Sequence, residues 1–418
     1  MLDRSLAPAS YPIDHFKLPS YEIAETGKGP LYIIRDHQLP VIQIELLFES
    51  GKSYQTVPGT SYYAIKMLPE GSKKYHSDEI STAFESLGSF VEFGSGIDHT
   101  YVKVYSQSTH IQQTLETLSE VMLNPVFPKD QFATIKQIRA QQIRQQNSKN
   151  SQLATASFNQ QLFGETHPLG YLISPDEALN SDLSSVIEYY QLSLFASPKA
   201  FMTGDISDQV VQQIRHLIDE LPTHTAAYHN HPPATQYETI RKNRENSEQV
   251  SYRIGMFTLD KKNPDFHYLN IANTLLGGYF GSRLMKTIRE ELGYTYGIYS
   301  TFVHTLHHSY WMISSELIKK HAEHGVEAIQ QELEKLAIHS PENKELATLK
   351  NYLKGKMLSS VDSIFSQGNL IKGLKLFDLP DDYYDGYFNA IDNITPNTIN
   401  QMVAEYLIKP NKTSLLLG

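Results

Sequence analysis

Histidine is the residue type best suited to metal or acid–base chemistry in this chain, with 17 among 418 residues. Two groups stand close in sequence: His224, His229 and His231, and His304, His307 and His308. An imidazole metal site needs further donors at ligand spacing, and no carboxylate stands at such spacing from either group. Surface imidazoles are the reading adopted for both. Cysteine is absent, which excludes disulfides, thiolate metal sites and a cysteine nucleophile. No nucleophile-elbow sequence supports Ser/His/Asp catalysis. The glycine-rich stretch Leu276-Gly277-Gly278-Tyr279-Phe280-Gly281 lacks the following Lys-Ser/Thr of a phosphate loop, so it is expected to be a tight helix-to-helix connection.

A stronger pattern lies in Gly59-Thr60-Ser61-Tyr62-Tyr63-Ala64-Ile65-Lys66-Met67-Leu68-Pro69-Glu70-Gly71-Ser72. Positions i, i+3 and i+4 of a helix share a face. This frame resembles the signature segment of the pitrilysin/insulinase-type zinc metallopeptidases, whose H-x-x-E-H sequence places two imidazoles and a general-base carboxylate on that face. In this chain the first His position holds Tyr62, the base position Ile65 and the second His position Lys66. The family's third ligand, a Glu, falls 76 residues after the second His, and that position is Gln142. The resemblance therefore implies a zinc site in which all three ligands and the base have been replaced. Zinc would be expected only in a partner subunit, and this chain would need no cofactor. His167-Pro168-Leu169-Gly170 and Gly204-Asp205 also match the family, and the resemblance covers about residues 20–418.

The segment Ser282-Arg283-Leu284-Met285-Lys286-Thr287-Ile288-Arg289-Glu290-Glu291-Leu292-Gly293-Tyr294-Thr295-Tyr296 resembles the second-domain signature of the same family. There an Arg precedes a Tyr by seven residues, and the pair contacts substrate near the scissile bond; Arg289 and Tyr296 match it. A guanidinium can hold a substrate carbonyl or carboxylate, and a phenol can donate to an oxyanion. The alternative is that Arg289 is a helix charge paired with Glu290 or Glu291 and Tyr296 a core strand residue. Tyr294 is a rival for the phenol role.

The elements around these segments repeat. Strand-forming sequence at 31–34 and 41–48, helices near 60–68 and 77–88, an alternating strand at 100–105 and a helix through Leu115, Leu118, Val121 and Met122 lead to a last strand at 201–204. After 221–248 the order recurs: a strand at 250–257, a helix through Tyr268, Ile271, Leu275 and Leu276, a strand at 310–315, a helix through Val326, Ile329, Leu333 and Leu336, and a closing strand at 413–418. A repeat of about 200 residues implies two similar domains rather than a solenoid. The expected fold is α+β, with two homologous domains, each a mostly antiparallel sheet with helices packed on one face. The expected division is 1–220, a linker at 221–248 rich in proline and polar residues, and 249–418. By the same resemblance, Phe90–Ser95 lies where the family has a chamber-facing edge strand that pairs with extended peptide; Gly94 and Gly96 would loosen it, and the alternative is a purely structural role.

The net charge of −10 argues against nucleic acid as a partner. No window reaches the roughly 20 apolar residues of a membrane span, and residues 1–8 lack the apolar run of a secretory signal, so a cytoplasmic location is expected. Together these readings describe a non-catalytic subunit of a heterodimeric peptidase. A homologous zinc-bearing subunit would be its partner, a peptide the shared substrate, and Arg289 and Tyr296 its contribution in trans. The alternatives are a stand-alone peptide-binding or structural homodimer, and an active zinc metalloendopeptidase with displaced ligands.

Overall fold

The computed structural model describes residues 13, 16–222, 227–229, 231–245 and 247–418. The segment 1–8 and His224 lie outside the described residues. The first sheet is built from β1 (Glu22–Glu25), β2 (Pro30–Arg35), β3 (Val41–Phe48), β4 (Phe90–Ser95), β5 (Thr100–Gln107) and β6 (Lys199–Gly204), in the order β1-β2-β6-β3-β5-β4. Only β2 and β6 pair in parallel; the other pairings are antiparallel. The apolar run of β3 is buried almost throughout, as suits a central strand covered on both faces. Burial alternates along β5, the period-two pattern of a strand with one face in the core.

The second sheet repeats this plan. It contains β7 (Thr239–Lys242), β8 (Gln249–Phe257), β9 (Thr295–His304), β10 (Ser309–Ile318) and β11 (Thr413–Leu417), in the order β7-β11-β8-β10-β9. Again one pairing is parallel, β7 with β11. Strand for strand, β7, β11, β8, β10 and β9 occupy the places of β2, β6, β3, β5 and β4. Residues 239–242 of the segment read as an exposed linker are thus the strand that opens the second sheet.

Helices cover one face of each sheet. In the first half these are α1 (Thr60–Met67), α2 (Ser77–Ser86) and α3 (Ile111–Leu123), with α4 (Lys129–Ser148) alongside. Ile111, Leu115, Leu118 and Met122 recur at helical spacing and enter one core with Ile44, Leu46, Val102 and Val104. In the second half the helices 266–273, 322–338 and 396–406 pack on Trp311 and Ile313 of β10. Trp311 is wholly buried, and its indole N–H donates to Asn273 Oδ1 at 2.9 Å and Ser300 Oγ at 2.7 Å, which satisfies a donor that burial would otherwise leave unpaired.

The opposite faces are covered by an exchange. Helix α5 (Asn150–Phe163) leaves the first half and lies on β8 and β11, where Ala154, Phe158 and Leu162 pack with Met312, Leu415 and Leu417. Gly255 of β8 makes this approach possible, because a Cβ there would sit 2.8 Å from Phe158 Cζ. Helix 364–376 of the second half lies in turn on β6 of the first. A buried charge on each central strand meets the visiting helix. Lys372 Nζ donates to Glu45 Oε2 at 2.7 Å, and Arg253 donates to Ser151 O at 2.9 Å and Thr155 Oγ1 at 3.1 Å. Among the described residues no helix is long and apolar enough to cross a membrane.

Candidate functional site

Helix α1 starts at Gly59, where the Gln55 amide oxygen accepts from the N–H groups of Gly59 and Ser61 at 3.1 and 3.2 Å and from Ser61 Oγ at 3.0 Å. Free amides at a helix start are costly when shielded from water, and Gln55 satisfies these. The helix is then anchored by Tyr63, whose buried hydroxyl donates to Ala178 O at 2.9 Å. Its periodicity sends Tyr63 and Ile65 inward and leaves Tyr62 and Lys66 half-buried. Helix α4 passes beside it. The Tyr62 hydroxyl lies 3.5 Å from Gln142 Oε1, and the Arg139 guanidinium sits 4.6 Å from the Tyr62 ring centre. Positions 62 and 142, 80 residues apart in sequence, are therefore neighbours in space.

The side chains at this junction do not fit a zinc ion. Tyr62 is held protonated, since burial raises its pKa and the nearby Arg139 only partly offsets that. Ile65 is fully buried in the apolar core and has no donor atom. Lys66 presents an ammonium, and Gln142 a neutral amide oxygen in place of a carboxylate. Zinc takes imidazole, thiolate or carboxylate, and none of these stands at the four positions. Among the described residues, no three His, Asp or Glu side chains are grouped to hold a metal ion.

What the junction does contain is a cavity of about 230 Å³ between α1, α4 and the end of β4, lined by Lys52, Tyr62, Ser95, Ile97, Arg139 and Tyr171 among others. It shares Lys52, Arg139, Tyr171 and Ile173 with a wider one of about 760 Å³ that extends along α4 and α5 to Arg253 of the second half. Lys52 donates to Tyr171 O at 2.8 Å, and burial, helped by Arg139, lowers its pKa to about 8. The sequence reading missed Lys52 and Arg139. An isolated lysine in a loop and an arginine in a polar helix carry no local signal, and only the fold brings them together.

Arg289 and Tyr296 are placed differently. Arg289 lies in a wide-wound helical stretch, Met285–Glu291, with its guanidinium 4.6 Å from the ring centre of the exposed Phe280 and 4.0 Å from Glu290. Tyr296, near the start of β9, is 89% exposed and lines an open groove of about 740 Å³ with Asn150, Arg244, Gln249 and Glu316. Arg289 does not line that groove. Tyr296 is thus not a core residue. Tyr294, the rival phenol, stacks on His321 at 4.5 Å and bonds His324 Nδ1 at 2.9 Å.

The histidines also depart from the surface reading. His307 is exposed, but His229, His231, His304 and His308 are half-buried. His308 Nε2 lies 3.1 Å from Nε2 of His167, which is 2% exposed, so the two halves meet through a pair of imidazoles. The cavity-end strand β4 is the sheet edge anticipated from the sequence. Its Gly94 makes room for the Tyr101 ring, which a Cβ would overlap at 2.1 Å.

Residues 32–176 match the insulinase family (Peptidase family M16), and residues 197–353 match the Peptidase M16 inactive domain. The chain belongs to this family, as a member with a degenerate zinc motif. It is 22% identical over 339 residues to the Bacillus subtilis protein named uncharacterized zinc protease YmxG, covering 78% of this chain and 80% of that one. It is 20% identical over 385 residues to a Helicobacter pylori protein named non-peptidase homolog YmxG, covering 90% and 89%. A crystal structure described as a peptidase M16 inactive domain from Pseudomonas fluorescens superposes with a TM-score of 0.86 at 23% identity, over 95% of this chain and 98% of that one. A Helicobacter pylori protease structure gives 0.84 at 16% identity, over 96% and 100%. These likenesses carry the fold. The relatives' names divide between peptidase and non-peptidase.

Proposed function

We propose that this chain is the non-catalytic, zinc-less subunit of a heterodimeric peptidase, supplying a chamber wall and substrate contacts to a homologous zinc-bearing subunit. The observation that carries the reading is the junction of α1 and α4. There Tyr62 stands against Gln142, and the side chains at 62, 65, 66 and 142 offer neither a zinc ligand set nor a base for a metal-bound water. In this reading the partner provides zinc and general base, and Arg289 and Tyr296 act in trans on the peptide. The chain divides within 221–248, ahead of β7. A stand-alone peptide-binding homodimer is the second reading, and the cationic cavity beside Tyr62 favours it.

Mixing the purified chain with a homologue that carries intact H-x-x-E-H tests the assignment. The expected result is a stable heterodimer by gel filtration, peptidase activity in the mixture, and none in this chain alone. Replacing Arg289 by Ala should lower turnover of the assembled pair by roughly two orders of magnitude, the size of a lost oxyanion donor. Chelator-sensitive hydrolysis by this chain alone would overturn the proposal.

A further inference from the structure

The cavity beside Tyr62 brings two cations together without a counter-ion. Lys52 and Arg139 both line it and its wider neighbour, and no Asp or Glu is among the described lining residues of either. The net charge of −10 makes a carboxylate-free cationic enclosure notable in this chain. Neither cation has an ion-pair partner among the described residues. The Lys52 ammonium reaches a backbone carbonyl, Tyr171 O, and lies 6.0 Å from the centre of the Tyr171 ring, and Arg139 rests on the Tyr62 ring. Glu177, bonded to the Tyr171 hydroxyl, is already held by Ser174 N at 2.8 Å and does not line the cavity. Arg253, at the far end, is paired with Glu316 at 3.0 Å. Holding two like charges together away from water is unfavourable unless an anion joins them.

The geometry points to a carboxylate-binding site, with Lys52 and Arg139 gripping the end of an extended peptide, either its C-terminal carboxylate or an acidic side chain. A guanidinium and an ammonium give strong charge-assisted hydrogen bonds to such a group. The space is about 230 Å³, and much of its remaining lining is aromatic or aliphatic; that holds one residue and is small for a nucleotide. The terminal strand β4 runs into it, since Ser95, Gly96 and Ile97 form its rim, so a chain laid along that edge would deliver its end to the two cations. The backbone amides that begin α1 are already taken by Gln55, which leaves the side chains to do the binding. The site belongs to this chain alone and does not depend on the partner assigned above.

The test is isothermal titration of the full chain with three short acetylated peptides of alanine and tyrosine. One has a free C-terminus, one is amidated, and one is amidated with an internal glutamate. The carboxylate-bearing peptides should bind at least about ten-fold more tightly than the neutral one, and the two arms tell a terminal from a side-chain carboxylate. This preference should fade as pH rises past about 8, where Lys52 gives up its proton. It should be lost in both Lys52→Met and Arg139→Met, and largely kept in Lys52→Arg, with unfolding curves confirming that each variant is folded. Equal binding of acid and neutral peptides, no binding of any, or a preference that survives both methionine variants would overturn the proposal. So would inorganic phosphate binding as tightly as the peptides. None of these outcomes bears on assembly with a zinc-bearing homologue, which gel filtration reads separately.

Discussion

The α1–α4 junction and the Arg289–Tyr296 segment carry opposite halves of what a working site needs. At the junction the positions are brought together, with Tyr62 3.5 Å from Gln142, but the residue types are wrong for zinc. In the second segment the residue types match the family, but Arg289 rests on Phe280 while Tyr296 lines a separate groove. Spacing in space and identity in sequence are thus independent quantities. The first is set by helix and sheet packing, which tolerates exchange of surface and cavity side chains. The second costs the fold nothing to keep or lose where the side chain is exposed.

The sharpest test of this contrast is to return a carboxylate to the base position. Ile65 is wholly buried among apolar neighbours, so Ile65→Glu should destabilise the chain by about 3 kcal/mol or more, since a buried unpaired charge has no compensation. Urea denaturation measures it, and a cost below about 1 kcal/mol would mean that the position still opens onto water.

A middle-sized effect is expected where the halves touch. Burial, reinforced by His308, His231 and Lys52, lowers the pKa of His167 to about 4 from an ordinary 6.5. The folded chain therefore keeps this imidazole neutral where the unfolded chain takes up a proton. Its contribution is complete above the unfolded value and is lost as pH falls from 6.5 toward about 4. At roughly pH 5 the loss from this residue is on the order of 2 kcal/mol. His167→Gln should flatten that part of the stability profile; an unchanged profile would place the acid sensitivity elsewhere.

The smallest effects belong to the second segment. Arg289→Ala removes one half-exposed cation–π contact and a 4.0 Å ion pair, and should change stability by under about 1 kcal/mol. Tyr296→Phe, at 89% exposure, should leave thermal unfolding where it is. A large loss from either would show a structural role and erase the contrast with Ile65.

The sequence made parts of this molecule readable for identifiable reasons. β3 and β5 carry long branched and alternating runs, and Leu115, Leu118, Val121 and Met122 state a helix face directly. β7 was not readable because it is four residues, Thr-Ile-Arg-Lys, and its pairing partner lies at Ser414–Leu417. The juxtaposition of 62 and 142 was implied by the family resemblance, whereas Lys52 and Arg139 flank the same cavity without any pattern. His304 and His308 looked like loop imidazoles, and their burial depends on Phe266 and Phe163, remote residues whose rings meet theirs edge-on. Nor did the apolar face of α5 disclose that it would cover the other half's sheet.

That last arrangement has a consequence for how the molecule exists at all. Each half withholds one helix from itself and lends it to the other, so a half expressed alone would present the outer face of its central strands bare, with Leu415 and Leu417 in one case or Glu45 in the other left without cover. The two repeats are therefore not two modules on a string. They are a mutual clasp, in which the outer face of each sheet is closed by a helix from the other repeat.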